Sequence, residues 1–576
     1  MMSKSIELIL RDEIFAELDI EYSEDHDTRL LDQGIDSVGF VKLIVLMESK
    51  FNISIPDEDL LFEKFSTTEL ILNYLTENAM MTIIQRLFLE ASNRQDHIIL
   101  EDLKQQWTYA EVMKEAYLIS LYIHKNFGLE PGSHLALYTN NEPLFIFAAL
   151  GIQICGYVLV PVPYSASNTE IENIINASDA KLVISKSAQP AYLNCDIPWV
   201  TAQDISQEPM PSFESISLTK QSDPNQCAIL LPTSGTTGKS KIVMLSHWNV
   251  LTNALAHGGK VGYTDQDSFL VTMPVHFSST IVTQLISCML YGTRIKLISL
   301  PLLPRTAFKL FQNKAVTAFS AVPTQLMHFV SDFHLTRNWS TFDSIEYIVI
   351  SGAAIPAKLV DQLQTVFPHA DIIQTYGLTE ASPRVSMMER GERSLSCGSP
   401  INDVSIRLVD EEENEVEGAA IGEIWVKGPN VMLGYYKNPE LTNATIVGGW
   451  LKTGDLGYWN ESGCLILTGR KKNIIISGGI NIYPEEIEEF LYGLKEVQEV
   501  MVVGIHDDLL GEVPVAFLKV FNECLIDVDA LTRHCKLHLS SYKVPRQWRI
   551  IDNIPKTKTG KLDRASTKRL LLNEIY

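Results

Sequence analysis

Near residue 230 an apolar run, Cys227-Ala-Ile-Leu-Leu231, reads as a buried strand and empties into Ser234-Gly-Thr-Thr-Gly-Lys-Ser-Lys-Ile-Val243. A strand that ends in glycine, serine and threonine, with lysines next, offers backbone N–H groups, hydroxyls and ammonium groups to an anion. Polyphosphates are held in this way. A GxxxxGK[ST] loop does not fit. Counting back from Gly238-Lys239-Ser240 puts Thr233 where its first glycine belongs, so a nucleotide-hydrolysing P-loop fold is set aside. Alone, the segment would serve equally well as a flexible turn.

Four further segments follow it: Gln374-Thr-Tyr-Gly-Leu-Thr-Glu380, Trp450-Leu-Lys-Thr-Gly-Asp455, Thr468-Gly-Arg-Lys-Lys-Asn-Ile-Ile-Ile-Ser-Gly-Gly479 and Pro555-Lys-Thr-Lys-Thr-Gly-Lys561. In order and spacing the set resembles the adenylate-forming superfamily of acyl-CoA synthetases, luciferases and nonribosomal peptide synthetase adenylation domains. The resemblance runs from about residue 82 to the C-terminus, and Trp107-Thr-Tyr-Ala-Glu-Val matches a hallmark near its start. Helices and strands alternate from Thr82 onward, as in a layered α/β architecture.

The 576 residues exceed one core, and hydrophobic and charged contents of 46% and 20% are those of an ordinary folded chain. Eight scattered cysteines without a CxxC pair indicate neither a zinc site nor a disulfide framework, and point to a reducing cytoplasm. The start, Met1-Met-Ser-Lys-Ser-Ile-Glu-Leu8, lacks the apolar core of a signal peptide. Leu144–Val160 is broken by Gly151, Gln153 and Gly156, so it reads as a buried helix and strand, with no stable membrane insertion. A net charge of −23 argues against nucleic acid as a partner.

That charge is uneven. Residues 1–78 hold 18 Asp/Glu against 6 Lys/Arg, about half the total excess, which marks a separate module. Apolar spacing predicts helices over Ser5–Leu18, over the stretch through Val41, Ile44, Val45 and Phe51, and over Thr67–Leu75, with a short fourth. This small four-helix bundle resembles an acyl or peptidyl carrier protein. Gly34-Ile-Asp-Ser37 matches the attachment site, which implies a 4′-phosphopantetheine arm on Ser37 and a phosphopantetheinyl transferase as partner. Asp36 or Ser37 would also make a good helix N-cap, whatever the function.

The expected organisation is a carrier domain over 1–78, a linker over 79–82, a large layered α/β domain over 83–470, a hinge at 471–472 and a small mobile α+β domain over 473–576. The resemblance implies the following roles. Thr233, Ser234, Gly235, Thr236, Thr237, Gly238 and Lys241 hold ATP phosphates, although Ser240 and Ile242 stand where the family commonly has proline and glycine. Gly352, Ala353 and Ala354 line the adenine slot, and Tyr376 stacks on the base. Thr379 contacts the α-phosphate, Glu380 holds Mg²⁺, Asp455 accepts from the ribose hydroxyls, and Arg470 binds ribose or phosphate. Lys561 carries the first half-reaction, in which a carboxylate attacks the α-phosphorus. Lys472 is the hinge on which the small domain turns, after which Ser477, Gly478 and Gly479 line the pantetheine path.

Amino-acid-activating relatives place an aspartate near the position of Ser279 to meet the α-ammonium. From Ser268 to Ser331 this chain has neither Asp nor Glu. An ammonium buried there would lack a counter-charge. His276-Phe277-Ser278-Ser279 starts the acid pocket as in fatty and aryl acid enzymes, so the expected substrate is a carboxylic acid without an α-amine. The resemblance implies an acid–thiol ligase that forms an acyl-adenylate and passes the acyl group to a carrier thiol, in cis or in trans, for a downstream synthase. An acyl-CoA synthetase using free coenzyme A, and a catalytically dead scaffold, are the alternatives.

Overall fold

A computed structural model describes residues 10–573, apart from 19, 21–27, 52–54, 56–58, 79, 191–192, 194, 207–208, 217, 219–222, 234–240, 337–338, 522–526 and 558–560. The phosphate-loop residues Ser234, Gly235, Thr236, Thr237 and Gly238 therefore lie outside the described residues.

The acidic module is a helical bundle made of Ser37–Phe51, a short turn at Phe62–Phe65 and Thr68–Asn78. Its core includes Leu10, Ile14, Phe15, Leu43, Met47, Phe65, Ile71 and Leu75, all fully buried. The expected α-helix over Ser5–Leu18 needs correction. Within its described part, residues 10–18, Leu10–Phe15 winds as a wider π-helix before a short α-helical end, and the longer repeat turns Leu10, Ile14 and Phe15 inward together. Asp36 caps the second helix, its Oδ1 accepting from the Gly39 N–H at 2.7 Å.

The helix Ile83–Asn93 follows Thr82 at once, and a capping box with Gln85 fixes its start. Ile83, Ile84, Leu87 and Phe88 bury its inner face, and the Ile83 N–H donates to His247 Nδ1 at 3.3 Å. The carrier is thus tied to the large domain within a few residues.

Two large sheets build that domain. In the nine-stranded sheet, Asp371–Gly377, Tyr347–Ile350, Ala318–Ala321, Ser268–Val271, Arg294–Leu297 and Ile98–Glu101 are successive parallel neighbours. In the seven-stranded sheet, Cys227–Thr233, Val158–Pro161, His134–Tyr138, Leu182–Ser185 and Trp199–Thr201 run parallel. Central strands such as Ser268–Val271 and Tyr347–Ile350 are buried at every position, since helices cover both faces of a parallel sheet. Leu144–Val160 resolves into the helix Pro143–Ile154 and the strand Val158–Pro161, as expected. A smaller antiparallel sheet carries Trp450–Trp459 and Leu465–Arg470. Among the described residues no helix is long and apolar enough to cross a membrane.

The small C-terminal unit has its own five-stranded sheet, in which Gly511–Val520 pairs with Val497–Asp507, Ile475–Ser477 and Gln547–Ile550. It docks closely on the rest. The Lys358 ammonium reaches the Leu494 carbonyl at 2.8 Å and lies over the Tyr492 ring. Gly469, at φ +148°, brings its strand close to the Glu485 carboxylate of the helix Pro484–Tyr492, 2.5 Å from where a Cβ would stand.

Candidate active site

Ligands of layered α/β folds gather where parallel strands end. Tyr347–Ile350 ends in Ser351-Gly352-Ala353-Ala354, and the latter three are exposed to an open cleft. Beside it Asp371–Gly377 delivers Tyr376, which is 5% exposed. The Tyr376 hydroxyl donates to Asp455 Oδ2 at 2.9 Å, and Arg470 Nε meets Asp455 Oδ1 at 2.8 Å. The last contact follows from register, because Asp455 and Arg470 face each other across the antiparallel pair. Burial raises the Asp455 carboxyl above its ordinary value, and Arg470 and the Tyr376 hydroxyl oppose the shift.

Lys561 enters this cleft from the small unit. A Cβ added to Gly352 would lie 2.7 Å from Lys561 Cε and 3.0 Å from its Nζ. Gly352 also has φ +90°, a backbone conformation that favours glycine. Lys561 sits at the end of a loop closed by its carbonyl accepting from the Thr557 N–H at 2.7 Å. The residue is exposed in the open cleft, yet its ammonium end is crowded by protein. That crowding lowers its pKa, Arg470 lowers it further, and Asp455 opposes. The Lys472 pKa is lowered for the same first two reasons.

Thr379 and Ser278 meet, their hydroxyl oxygens 3.2 Å apart, so the strand-end loop and the expected acid pocket adjoin. His276 packs edge-on against Phe277 with centroids 4.5 Å apart, and burial brings its pKa down to about 4, so the ring is neutral. Ser279 leads into a π-helix, Thr280–Ile286, a widened geometry common at functional sites.

Glu380 Oε1 accepts from the Tyr435 hydroxyl at 2.9 Å, and the Lys241 ammonium lies over the same ring, 5.4 Å from its centroid. The two expected phosphate-side groups thus share one tyrosine. Thr233 Oγ1 bonds the Lys241 carbonyl at 3.2 Å across the described base of the phosphate loop. A carboxylate with one oxygen held by a phenol and the other without a hydrogen bond among the described residues suits a hard cation that takes its remaining ligands from phosphates and water. Glu380 therefore fits Mg²⁺.

The remaining expected residues lie at the edge of this cleft or away from it. Lys472 lies in the turn Lys471–Asn473 between the large and small units. Ser477, Gly478 and Gly479 form a hairpin turn on the small unit's own sheet, where the Gly478 N–H donates to the Leu510 carbonyl at 2.7 Å. Ser37 is exposed at the head of its helix, beside a groove of about 640 Å³ lined only by carrier residues, among them Leu31, Phe40, Val41 and Val45.

Sequence reasoning missed Tyr435 and Glu423. Glu423 accepts from the Gly454 N–H at 3.1 Å and pairs with Lys471 at 3.1 Å, so it ties the Asp455 strand to the turn Lys471–Asn473. Neither residue sits in a motif that spacing singles out, and pairing across strands was the only signal.

Comparison with known proteins agrees with this geometry. The AMP-binding enzyme family model matches residues 87–436, the AMP-binding enzyme C-terminal domain 486–561 and the phosphopantetheine attachment site 9–75. The chain is 29% identical to a 2-succinylbenzoate–CoA ligase of Geobacillus sp. over 85% of this chain and 97% of that one. It is 30% identical to the enzyme of that name in Bacillus licheniformis, over 76% and 90%. In structure it resembles the o-succinylbenzoate CoA synthetase MenE of Bacillus subtilis in complex with the acyl-adenylate intermediate OSB-AMP. The TM-score there is 0.75 at 26% identity, covering 84% of this chain and 97% of that one. The chain therefore belongs to the AMP-binding, adenylate-forming enzymes, carries a phosphopantetheine attachment domain before the catalytic part, and is an ATP-dependent acid–thiol ligase.

Proposed function

We propose that the enzyme activates a carboxylic acid lacking an α-amine and passes the acyl group to a pantetheine thiol on a carrier domain. The observation that supports this most is the placement of the Lys561 ammonium against Gly352, within the field of Asp455 and Arg470. A carboxylate and an α-phosphate repel each other, and a cation between them stabilises the transition state. Asp455, which has two acceptor oxygens, serves the ribose hydroxyls. Tyr376 flanks the adenine beside Gly352, Ala353 and Ala354, and Thr379 serves the α-phosphate. Thr233, Lys241 and the loop between them serve the outer phosphates. Mg²⁺ on Glu380 would supply charge neutralisation along the phosphates.

Thiol transfer needs a second arrangement, because Lys561 occupies the approach to the adenylate. The joints proposed are 79–82 and 471–472, with Lys472 as the hinge. Turning there withdraws Lys561 and presents Ser477, Gly478 and Gly479 to the arm. The names of the relatives favour free coenzyme A as a second acceptor. They also make an aryl acid such as 2-succinylbenzoate a first candidate for the substrate.

ATP–pyrophosphate exchange across fatty, aryl and amino acids tests the substrate class. Fatty or aryl acids are expected to support exchange, and amino acids to support about a hundredth of it or less, the cost of an ammonium without a partner. Robust exchange with an amino acid alone would overturn the assignment.

The carrier's last helix ends at Asn78 and Ile83 is already buried, so about four residues spanning at most ~14 Å tether the module. Loading between two copies is the reading this tether favours. Mixing Ser37→Ala, which lacks an arm, with Lys561→Ala, which cannot adenylate, should yield acyl-loaded Lys561→Ala protein. An unloaded mixture, with wild type loading at a rate independent of concentration, would show loading within one chain.

A further inference from the structure

Beneath the cleft lies a cation that this chemistry does not use. Arg384 is 2% exposed on the strand Arg384–Met387, and no carboxylate among the described residues pairs with it. One of its terminal nitrogens donates to Thr375 Oγ1, while its Nε has no hydrogen-bond partner. Burial brings its pKa down to about 10, which leaves it charged at neutral pH. An unpaired buried guanidinium is costly and calls for an acceptor.

Its neighbours fix where that acceptor would come from. Thr375 precedes Tyr376, and its hydroxyl donates to the Ile350 carbonyl at 2.7 Å, one residue before the Ser351-Gly352 loop. Arg384 also lies within electrostatic reach of His257 and Tyr263. The Tyr263 hydroxyl donates to the Thr283 carbonyl at 3.2 Å, and the Thr283 hydroxyl to that of Ser279 at 2.6 Å. The guanidinium is therefore bracketed by the strands that carry the adenylate loops and by the helix that starts at the acid pocket.

A second observation points the same way. His257 Nδ1 beside Arg384, Thr280 Oγ1 and Gln284 Oε1 on that helix, and Ser386 Oγ on the Arg384 strand are all buried without a hydrogen-bond partner. Folded interiors leave few such atoms unpaired. Such atoms on the helix that starts at the acid pocket and on the Arg384 strand mark places that polar atoms from outside would complete.

We propose that Arg384 is the distal anchor of the acid pocket, so that the substrate carries, besides the carboxyl that is activated, a second oxygen acceptor, a carboxylate or ketone, bound by this guanidinium. This rests on the acid-activating reading above. It narrows that reading to acids polar at both ends, and it would give the unpartnered Thr280 Oγ1 and Gln284 Oε1 a polar neighbour.

The test is ATP–pyrophosphate exchange with matched acids, each plain aryl or alkyl acid paired with its analogue bearing a distal carboxylate or ketone. For the series that fits, wild type should favour the acceptor-bearing acid by about 30-fold in kcat/KM, the worth of a charged hydrogen bond. Arg384→Met should erase that preference through KM. If methionine destabilises the fold, Arg384→Gln serves in its place, and the wild-type ranking already decides the matter. Wild type preferring the plain acid in every pair, or a preference that survives in the variant, would overturn the proposal and leave the ligase reading intact. No exchange with any acid would count against the ligase reading, and this proposal would fall with it.

Discussion

Lys561→Ala is expected to slow adenylate formation from acid and ATP by about 1,000-fold, the scale on which removing one transition-state charge partner acts. Transfer to thiol from preformed acyl-adenylate should stay within about threefold of wild type, because the group acts only in the first half-reaction. The basis is geometric: its ammonium lies at Gly352, between the adenine-side loop and the Asp455–Arg470 pair. The same group sets an alkaline limit. Lys561 must be protonated to act, and its pKa lies below the ordinary 10.5. Exchange should therefore fall, as pH rises, earlier than an ordinary lysine would cause. Lys561→Arg, always protonated, should lose that limb. Single-turnover assays of each half-reaction decide the point. Equal loss in both would sink the assignment of two arrangements.

Ser37→Ala is expected to abolish phosphopantetheine attachment entirely. Treatment with coenzyme A and a broad-specificity transferase should raise the mass of wild type by one arm and leave the variant unchanged. The fold should not suffer, because the helix is capped by Asp36, whose carboxylate accepts from Gly39. Ser37 itself is exposed, so its replacement should change stability by no more than about 0.5 kcal/mol. A wild type left unmodified by several transferases, or a variant still modified, would count against the carrier assignment. The exposed faces of Val38, Val41 and Val45, at 63%, 60% and 55%, lie on the same helix as Ser37.

Much of the site was legible because its parts are short, contiguous and chemically specific. Tyr376, Thr379 and Glu380 fall within one run of residues, and Lys561 ends another. The alternation of buried strands and capped helices was equally legible, since local pattern and tertiary layer agree. The π-helix at Leu10–Phe15 was not, because apolar residues four and five apart suit either winding and only packing chooses. Tyr435 was invisible for another reason. Its role rests on contacts to Glu380 and Lys241, which are 55 and 194 positions away along the chain.

Arg384 shows the division most sharply. By itself the sequence determined the family, the order of the modules and the acid-free stretch from Ser268 to Ser331, and it singled out Ser37 as the expected attachment serine, since each depends on residue types at fixed local spacing. Nothing in the letters around Arg384 marks it as unpaired. That depends on which side chains fill a volume shared by residues 257, 263, 375 and 397, and burial without a counter-charge exists only once the chain has closed around it. The closed structure likewise decided that Lys561 reaches Gly352, because the small unit sits through contacts such as that of Lys358 with the Leu494 carbonyl, which lie outside the lysine's own motif.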